Sequence, residues 1–320
     1  MMETADKYTI TPIPHLKDPT SIAQIMKLVL IALAPAAVLG IYFFGVMALL
    51  LMTVTVASCV AFEALYQKIT KQPLTISDYS AAVTGLLLAF NLPPTAPLWM
   101  PVVGSFVAII VAKQLFGGLG QNFINPALAA RAFLLAAYMP EMAGGFIQPV
   151  GFENFFNLDV VTTATPLAGE AYFSYATLLF GSHPGTIGET SALALILGGL
   201  FLMVKKVITW HVPTTYIASV FVLTWILAPY WDFHLPTFHI LAGGLMLAAF
   251  FMATDYSSSP ITPKGKIVMG IGCGLITVLI RLYGGYPEGA SYAILLMNLC
   301  VPLIDRFTKP KVFGTAKGGK

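Results

Sequence analysis

Nine residues near the middle of the chain, Asp159-Val160-Val161-Thr162-Thr163-Ala164-Thr165-Pro166-Leu167, carry its densest run of potential chemistry. Three hydroxyls fall within four residues, and the small Ala164 separates the last two. Pro166 biases Thr165 away from helical backbone towards β or polyproline geometry, because the ring crowds the residue before it. The stretch therefore reads as extended and exposed, with hydroxyl oxygens open to reaction. Two uses fit it: a Ser/Thr-type turn ahead of a helix, or presentation of one threonine as a covalent acceptor. By chemistry alone Thr162, Thr163 and Thr165 are rivals for that role.

Ionisable residues inside apolar runs are the next candidates, because a charge there needs a partner or a task. Arg131 lies in such a run and is expected to pair with backbone carbonyls, an acidic neighbour or a bound phosphate. Glu63, Asp255 and the pair Asp305-Arg306 sit at the ends of runs and read as interfacial. The histidines His15, His183, His211, His234 and His239 show no spacing that aligns two on one helix face, so no metal site is expected. Cys59, Cys273 and Cys300 form no C-x-x-C pair, which argues against an iron–sulfur or zinc centre held by this chain alone. They read as small core residues. There is no P-loop, no dinucleotide-binding glycine fingerprint and no nucleophile elbow.

These residues sit in a chain of 320, of which 57% are hydrophobic and only 10% charged. The mean hydropathy is +0.81. Soluble domains carry roughly 25% charged residues, so the chain is an integral, all-α membrane protein. No basic tract with interleaved aromatics points to nucleic acid. A spanning helix needs about 20 apolar residues. On that ruler there are about ten spans: 22–42, 44–66, 79–92, 98–116, 123–140, 188–204, 213–230, 236–253, 266–283 and 289–306. The third ends in Asn91-Leu92-Pro93-Pro94 and is short, hence broken or tilted. The first apolar run is too long for a removable signal peptide and reads as a retained helix.

Basic residues orient the spans. Lys68, Lys71, Lys113, Lys205, Lys206, Lys264, Lys266 and the tail from Arg306 fall on one side, while no lysine or arginine occurs from Ala132 to Val204. The division is then a cytoplasmic segment 1–21, a first membrane repeat 22–140, an outer-face segment 141–187 bearing the threonines, a second repeat 188–306 and a cytoplasmic tail 307–320. Arg281, near an outer helix end, departs from the rule and is expected to snorkel. Gly85-Leu86-Leu87-Leu88-Ala89 is echoed by Gly244-Leu245-Met246-Leu247-Ala248, and Gln114-Leu115-Phe116-Gly117-Gly118 by Arg281-Leu282-Tyr283-Gly284-Gly285. Five spans per half is odd, so two copies must insert with opposite orientation. Gly117-Gly118 and Gly284-Gly285 are then either half-inserted segments near the repeat axis or ordinary tight turns.

The pattern D-x-x-[ST]-x-A-T, formed by Asp159, Thr162, Ala164 and Thr165, resembles the flavinylation motif of the D subunit of the Rnf electron-transport complex. It is also similar to that of the B subunit of the sodium-pumping NADH:quinone oxidoreductase. Further landmarks resemble the Rnf protein: the run Lys113 to Asn122, Asn125-Pro126-Ala127, the run Arg281 to Pro287, and the run Asn298 to Asp305. The early start of the first span favours Rnf over the quinone reductase, whose polar N-terminal extension is longer. The resemblance implies FMN joined to Thr165 by a phosphoester, with Asp159, Thr162 and Ala164 as the other motif positions, and a flavin transferase that uses FAD. It implies other membrane and peripheral Rnf subunits as partners in a bacterial or archaeal cytoplasmic membrane. Electrons would pass between ferredoxin and NAD, coupled to Na+ or H+ movement, and some relatives bind a second, non-covalent riboflavin. The alternative is a channel or transporter subunit of the urea-channel-like fold without a redox cofactor, since an inverted repeat with interrupted helices also suits that task.

Overall fold

The computed structural model describes residues 20–149, 151, 162–167, 174–227, 234–284 and 288–310. The first helix, α1 (Ile22–Ile69), opens with a capping box in which Ser21 Oγ accepts from the Gln24 amide and Gln24 Oε1 accepts from the Ser21 amide. Its 48 residues would reach about 72 Å if straight, more than twice the roughly 30 Å of a bilayer core. Gly45, at φ 67° and ψ −153°, breaks it into two lengths of one span each. Ile22 and Ile25 share a cavity with Glu63 and Gln67, so the two halves run antiparallel.

The chain continues through α2 (Ser80–Phe90), α3 (Trp99–Phe106) prolonged by a π-turn at Val107–Val111, and α4 (Pro126–Ala137). The short helices α5 (Met139–Gly144) and α6 (Tyr175–Phe180) flank the threonine motif. Then follow α7 (Ala192–Val204), α8 (His211–Leu227), α9 (His234–Leu241), α10 (Leu245–Leu247) with its π-turn Ala248–Met252, α11 (Pro263–Tyr283) and α12 (Ala290–Thr308). The protein is an all-α membrane protein, and helix occupies all ten expected spans. Among the described residues four helices are long and apolar enough to cross a bilayer by that measure, α1 among them covering two of the expected spans. The helices α9 and α10 add another span as one bent pair, and the remaining four spans are shorter apolar helices. Asn125 caps α4 ahead of Pro126, and Thr262 caps α11 ahead of Pro263; proline suits the first helical turn because its missing N–H has no helical partner there.

The interruption falls at a place not anticipated. It is the eighth span that breaks, with a bend of 66° between α9 and the helix beginning at Leu245. Gly243 sits at φ +72° in the break, a conformation that a side chain disfavours. Ending α9 there strands its last carbonyls, and Arg281 supplies the donors: its guanidinium bonds the His239 carbonyl and, at 3.2 Å, the Ala242 carbonyl. Arg281 thus caps a broken helix instead of snorkelling. The echo between Gly85 and Gly244 does not extend to local geometry, since Gly85 lies inside unbroken α2 against Val56.

The glycine connector after α3 is a tight turn. Gly117, Gly118 and Gly120 have φ of +113°, +92° and +84°, and a Cβ on Gly118 would meet only the Gln114 side chain at 3.6 Å. Close backbone approach occurs elsewhere. A Cβ on Gly40 would lie 2.7 Å from the Ile187 carbonyl oxygen. On α11, Gly270 and Gly274 pack against Thr215 and Ser219 of α8, a small-residue seam of the kind that drives helix association in lipid. Cys59 and Cys273 are buried as expected, but Cys300 is exposed on α12.

Glu63 is buried rather than interfacial. Lys113 Nζ reaches its two carboxylate oxygens at 2.9 and 3.1 Å and Ser80 Oγ at 2.7 Å, while Gln114 Nε2 donates to Glu63 Oε1 at 2.7 Å. Both charged side chains are at most 2% exposed.

Candidate functional site

At the other end of the bundle the threonine motif is held by backbone hydrogen bonding. Residues Ile147 and Thr162 form an isolated antiparallel bridge, and the Thr163 amide donates to the Phe146 carbonyl at 2.7 Å. The partner stretch is fixed in turn, because Thr95 Oγ1 donates to the Gly145 carbonyl at 2.8 Å. Just before α7, the Ile187 and Gly188 amides donate to the Leu92 and Phe90 carbonyls at 3.1 and 3.0 Å. Asn91, at the end of α2, is therefore enclosed by chain on several sides.

Pairing alternates the direction of side chains. Thr162 and Ala164 are exposed, whereas Thr165 and Pro166 are buried. This corrects the expectation of an exposed acceptor: Thr165 is only 3% exposed. Its hydroxyl has no hydrogen-bond partner among the described residues, a state that costs about 1–3 kcal/mol for a buried polar group. Thr165 lines a cavity of about 120 Å³ shared with Asn91, Arg131, Phe146, Thr186 and Glu288. Asp159 lies outside the described residues, so of the four motif positions the structure places Thr162, Ala164 and Thr165.

Arg131 is the charged centre of this cavity. It projects from α4 and is 8% exposed. Nη1 donates to Asn91 Oδ1 at 2.6 Å and to Ser291 Oγ at 2.9 Å, and Nη2 forms an ion pair with Glu288. Among the described residues its partners are thus side chains from two other segments, the end of α2 and the start of α12, rather than backbone carbonyls. A second carboxylate lies close by, since a Cβ on Gly244 would lie 3.4 Å from Glu189 Oε2 and 3.9 Å from Arg131 Nη1. A Cβ on Gly243 would lie 3.0 Å from Arg281 Nη2, with Leu167 of the threonine segment against the same glycine. The break in the eighth span therefore abuts the motif. Glu189, Glu288, Ser291 and Gly243 were not singled out from sequence, and Asn91 and Gly244 entered only as the end of the third span and as an echo of Gly85. Two signals pointed towards them: a glycine pair inside an apolar run and carboxylates directly ahead of apolar helices.

A larger cavity, of about 510 Å³, lies at the Glu63 end, lined by Glu63, Gln67, Asp78, Gly118, Asp255 and Tyr256. Asp255 accepts from Ser257 and Ser258 at 3.0 Å and from Asn122 at 3.4 Å. Its side chain is thereby tied to the connector that precedes α4.

Fold and site define a class: a multi-helix membrane protein that buries ion pairs at both ends and encloses the hydroxyls of Thr165 and Thr186 beside an arginine. The chain belongs to the NQR2, RnfD, RnfE family, which it matches over residues 9–314. It is 52% identical over 318 residues to the D subunit of the Na+-translocating ferredoxin:NAD+ oxidoreductase complex of Acetobacterium woodii, covering 97% of this chain and 96% of the relative. It is 43% identical over 331 residues to the D subunit of the proton-translocating ferredoxin:NAD+ oxidoreductase complex of Clostridium ljungdahlii, covering 97% of each chain. The corresponding D subunit of the ion-translocating oxidoreductase complex of Halorhodospira halophila is 38% identical over 347 residues, with 96% and 95% covered.

Proposed function

We propose that this chain is the D subunit of an ion-translocating ferredoxin:NAD+ oxidoreductase and carries FMN as a phosphoester on Thr165. The names of the most similar relatives support the first part, and they divide between Na+ and protons as the coupling ion. The observation that carries the second part is the Thr165 hydroxyl, buried beside a cation without a partner among the described residues. The residues fit the group in one respect: the cavity accommodates a phosphate. At about 120 Å³ it is below the roughly 300 Å³ at which small-ligand pockets begin, so it does not enclose the three-ring system. When bound, FMN supplies a one- or two-electron relay between the cofactors of partner subunits, with Na+ or H+ movement coupled to it.

Attachment from FAD balances without an external oxidant. The Thr165 oxygen bonds to the phosphorus of the FMN half, AMP leaves with the bridging oxygen, and the hydroxyl proton is released. Because Thr165 is buried, a flavin transferase reaches it only before Thr162 and Thr163 pair with Phe146 and Ile147, or after that pairing opens. The cavity of about 510 Å³ at the Glu63 end lies within the size range of small-ligand sites, a size that would admit the non-covalent riboflavin bound by some relatives.

The test is the flavin content of the chain coexpressed with a flavin transferase. No lysine or arginine lies between Arg131 and Lys205, so trypsin places the whole motif in one peptide. That peptide is expected to gain the mass of FMN less one water and to fluoresce in a denaturing gel, with riboflavin released separately on denaturation. A native chain with no covalent flavin would leave the channel reading.

The basic-residue asymmetry supports an outer-face location for the motif, in a bacterial or archaeal cytoplasmic membrane. Glu141 is exposed on α5. With Cys59, Cys273 and Cys300 replaced, Glu141→Cys is expected to react with a membrane-impermeant thiol reagent in intact cells. Labelling only after permeabilisation would reverse the orientation.

A further inference from the structure

We propose that Arg131 anchors the phosphate carried by Thr165, exchanging its carboxylate partner Glu288 for that phosphate; the inference rests on the assignment of FMN to Thr165. The guanidinium is already aimed. Arginine has donors in a rigid planar fork, and the two on Nη1 are taken by neutral groups, Asn91 Oδ1 at 2.6 Å and Ser291 Oγ at 2.9 Å. Those contacts fix the plane of the group without neutralising it. The Nη2 side meets an anion, the Glu288 carboxylate.

Glu288 is held by little else. Among the described residues, neither of its carboxylate oxygens makes a hydrogen bond beyond that ion pair, and it lines the cavity that also contains Thr165 and Thr186. The hydroxyls of both threonines likewise lack partners there. One becomes the ester oxygen, and the other is a free donor for a phosphate oxygen. A phosphodiester carries one negative charge, as a carboxylate does, so the exchange leaves the charge on Arg131 balanced. Paired N–H groups suit two phosphate oxygens at least as well as two carboxylate oxygens. Before modification, Glu288 spares Arg131 the cost of a lone buried charge.

Arginine occurs three times in the chain, at positions 131, 281 and 306, which makes the exchange directly measurable. The flavinylated chain is labelled with 15N-arginine, placed in phosphorus-free detergent and frozen. Dephasing of the arginine signals by 31P then reports which guanidinium lies beside the phosphate. One of the three signals is expected to dephase, and the effect is expected to be lost in Arg131→Lys bearing the same covalent flavin. A native chain with its full complement of FMN and no dephased arginine would overturn the proposal. So would dephasing that persists in Arg131→Lys. If the native chain carries no phosphorus, the assignment of FMN to Thr165 itself fails, and this inference with it. Because the native measurement needs no substitution at Arg131, a variant that fails to fold does not prevent a decision.

Discussion

Thr165→Val is expected to yield a chain that inserts, folds and assembles but carries no covalent flavin. Valine keeps the branched shape and removes the one atom able to form the ester. The lost hydroxyl has no partner among the described residues, so its removal relieves a desolvation penalty of about 1–3 kcal/mol instead of breaking a bond. Thermal stability should therefore hold or rise, which separates this variant from a folding defect. Thr165→Ser keeps a hydroxyl and is expected to retain partial flavinylation. Thr163→Val also removes a buried, unpartnered hydroxyl but should leave flavin at Thr165. In-gel flavin fluorescence and the mass of the tryptic peptide read the attachment, and ferredoxin–NAD electron transfer in the assembled complex reads its consequence. That transfer should be lost, because tunnelling falls steeply with distance and a missing relay is not bypassed. A Thr165→Val chain with full covalent FMN would move the attachment elsewhere.

The largest stability effect is expected at the opposite end of the bundle, from Lys113→Met. Lys113 contacts both oxygens of the Glu63 carboxylate, and without it Glu63 keeps, among the described residues, the amide of Gln114. Removing one partner of a buried pair typically costs about 3–5 kcal/mol, because the other charge is left uncompensated in a low-dielectric surrounding. Replacing both, as Lys113→Met with Glu63→Leu, removes the stranded charge and should recover most of the loss. Thermal unfolding of the purified chain in detergent measures the difference. Equal stability of the single and double variants would show that water reaches Glu63 and screens it.

The glycines make a related point about what spacing conveys. Of the two readings of Gly117-Gly118, a half-inserted segment or a tight turn, the structure shows the turn, which is open around Gly118 and whose glycines serve positive φ. Gly40, inside an ordinary apolar run, is the residue that the Ile187 carbonyl presses against. A turn glycine announces itself through its neighbours in sequence. A packing glycine depends on an element far along the chain, which no local pattern specifies.

Sequence alone determined the all-α membrane class, the ten helical segments and the position of the threonine motif. Each of these rests on local properties: the length of an apolar run, the charges that flank it, and the chemistry of adjacent residues. Tertiary structure decided that Thr165 is buried while Thr162 and Ala164 are exposed, because pairing with Phe146 and Ile147 sets which side chains face inwards. It also decided that Arg131 meets Asn91, Ser291 and Glu288, that Lys113 meets Glu63, and that Arg281 caps the helix broken at Gly243. A buried charge must find a partner, and the sequence states that need wherever it places an arginine or lysine in an apolar run. Which partner it finds depends on which helix ends meet once the bundle has packed, and that is a property of the whole chain.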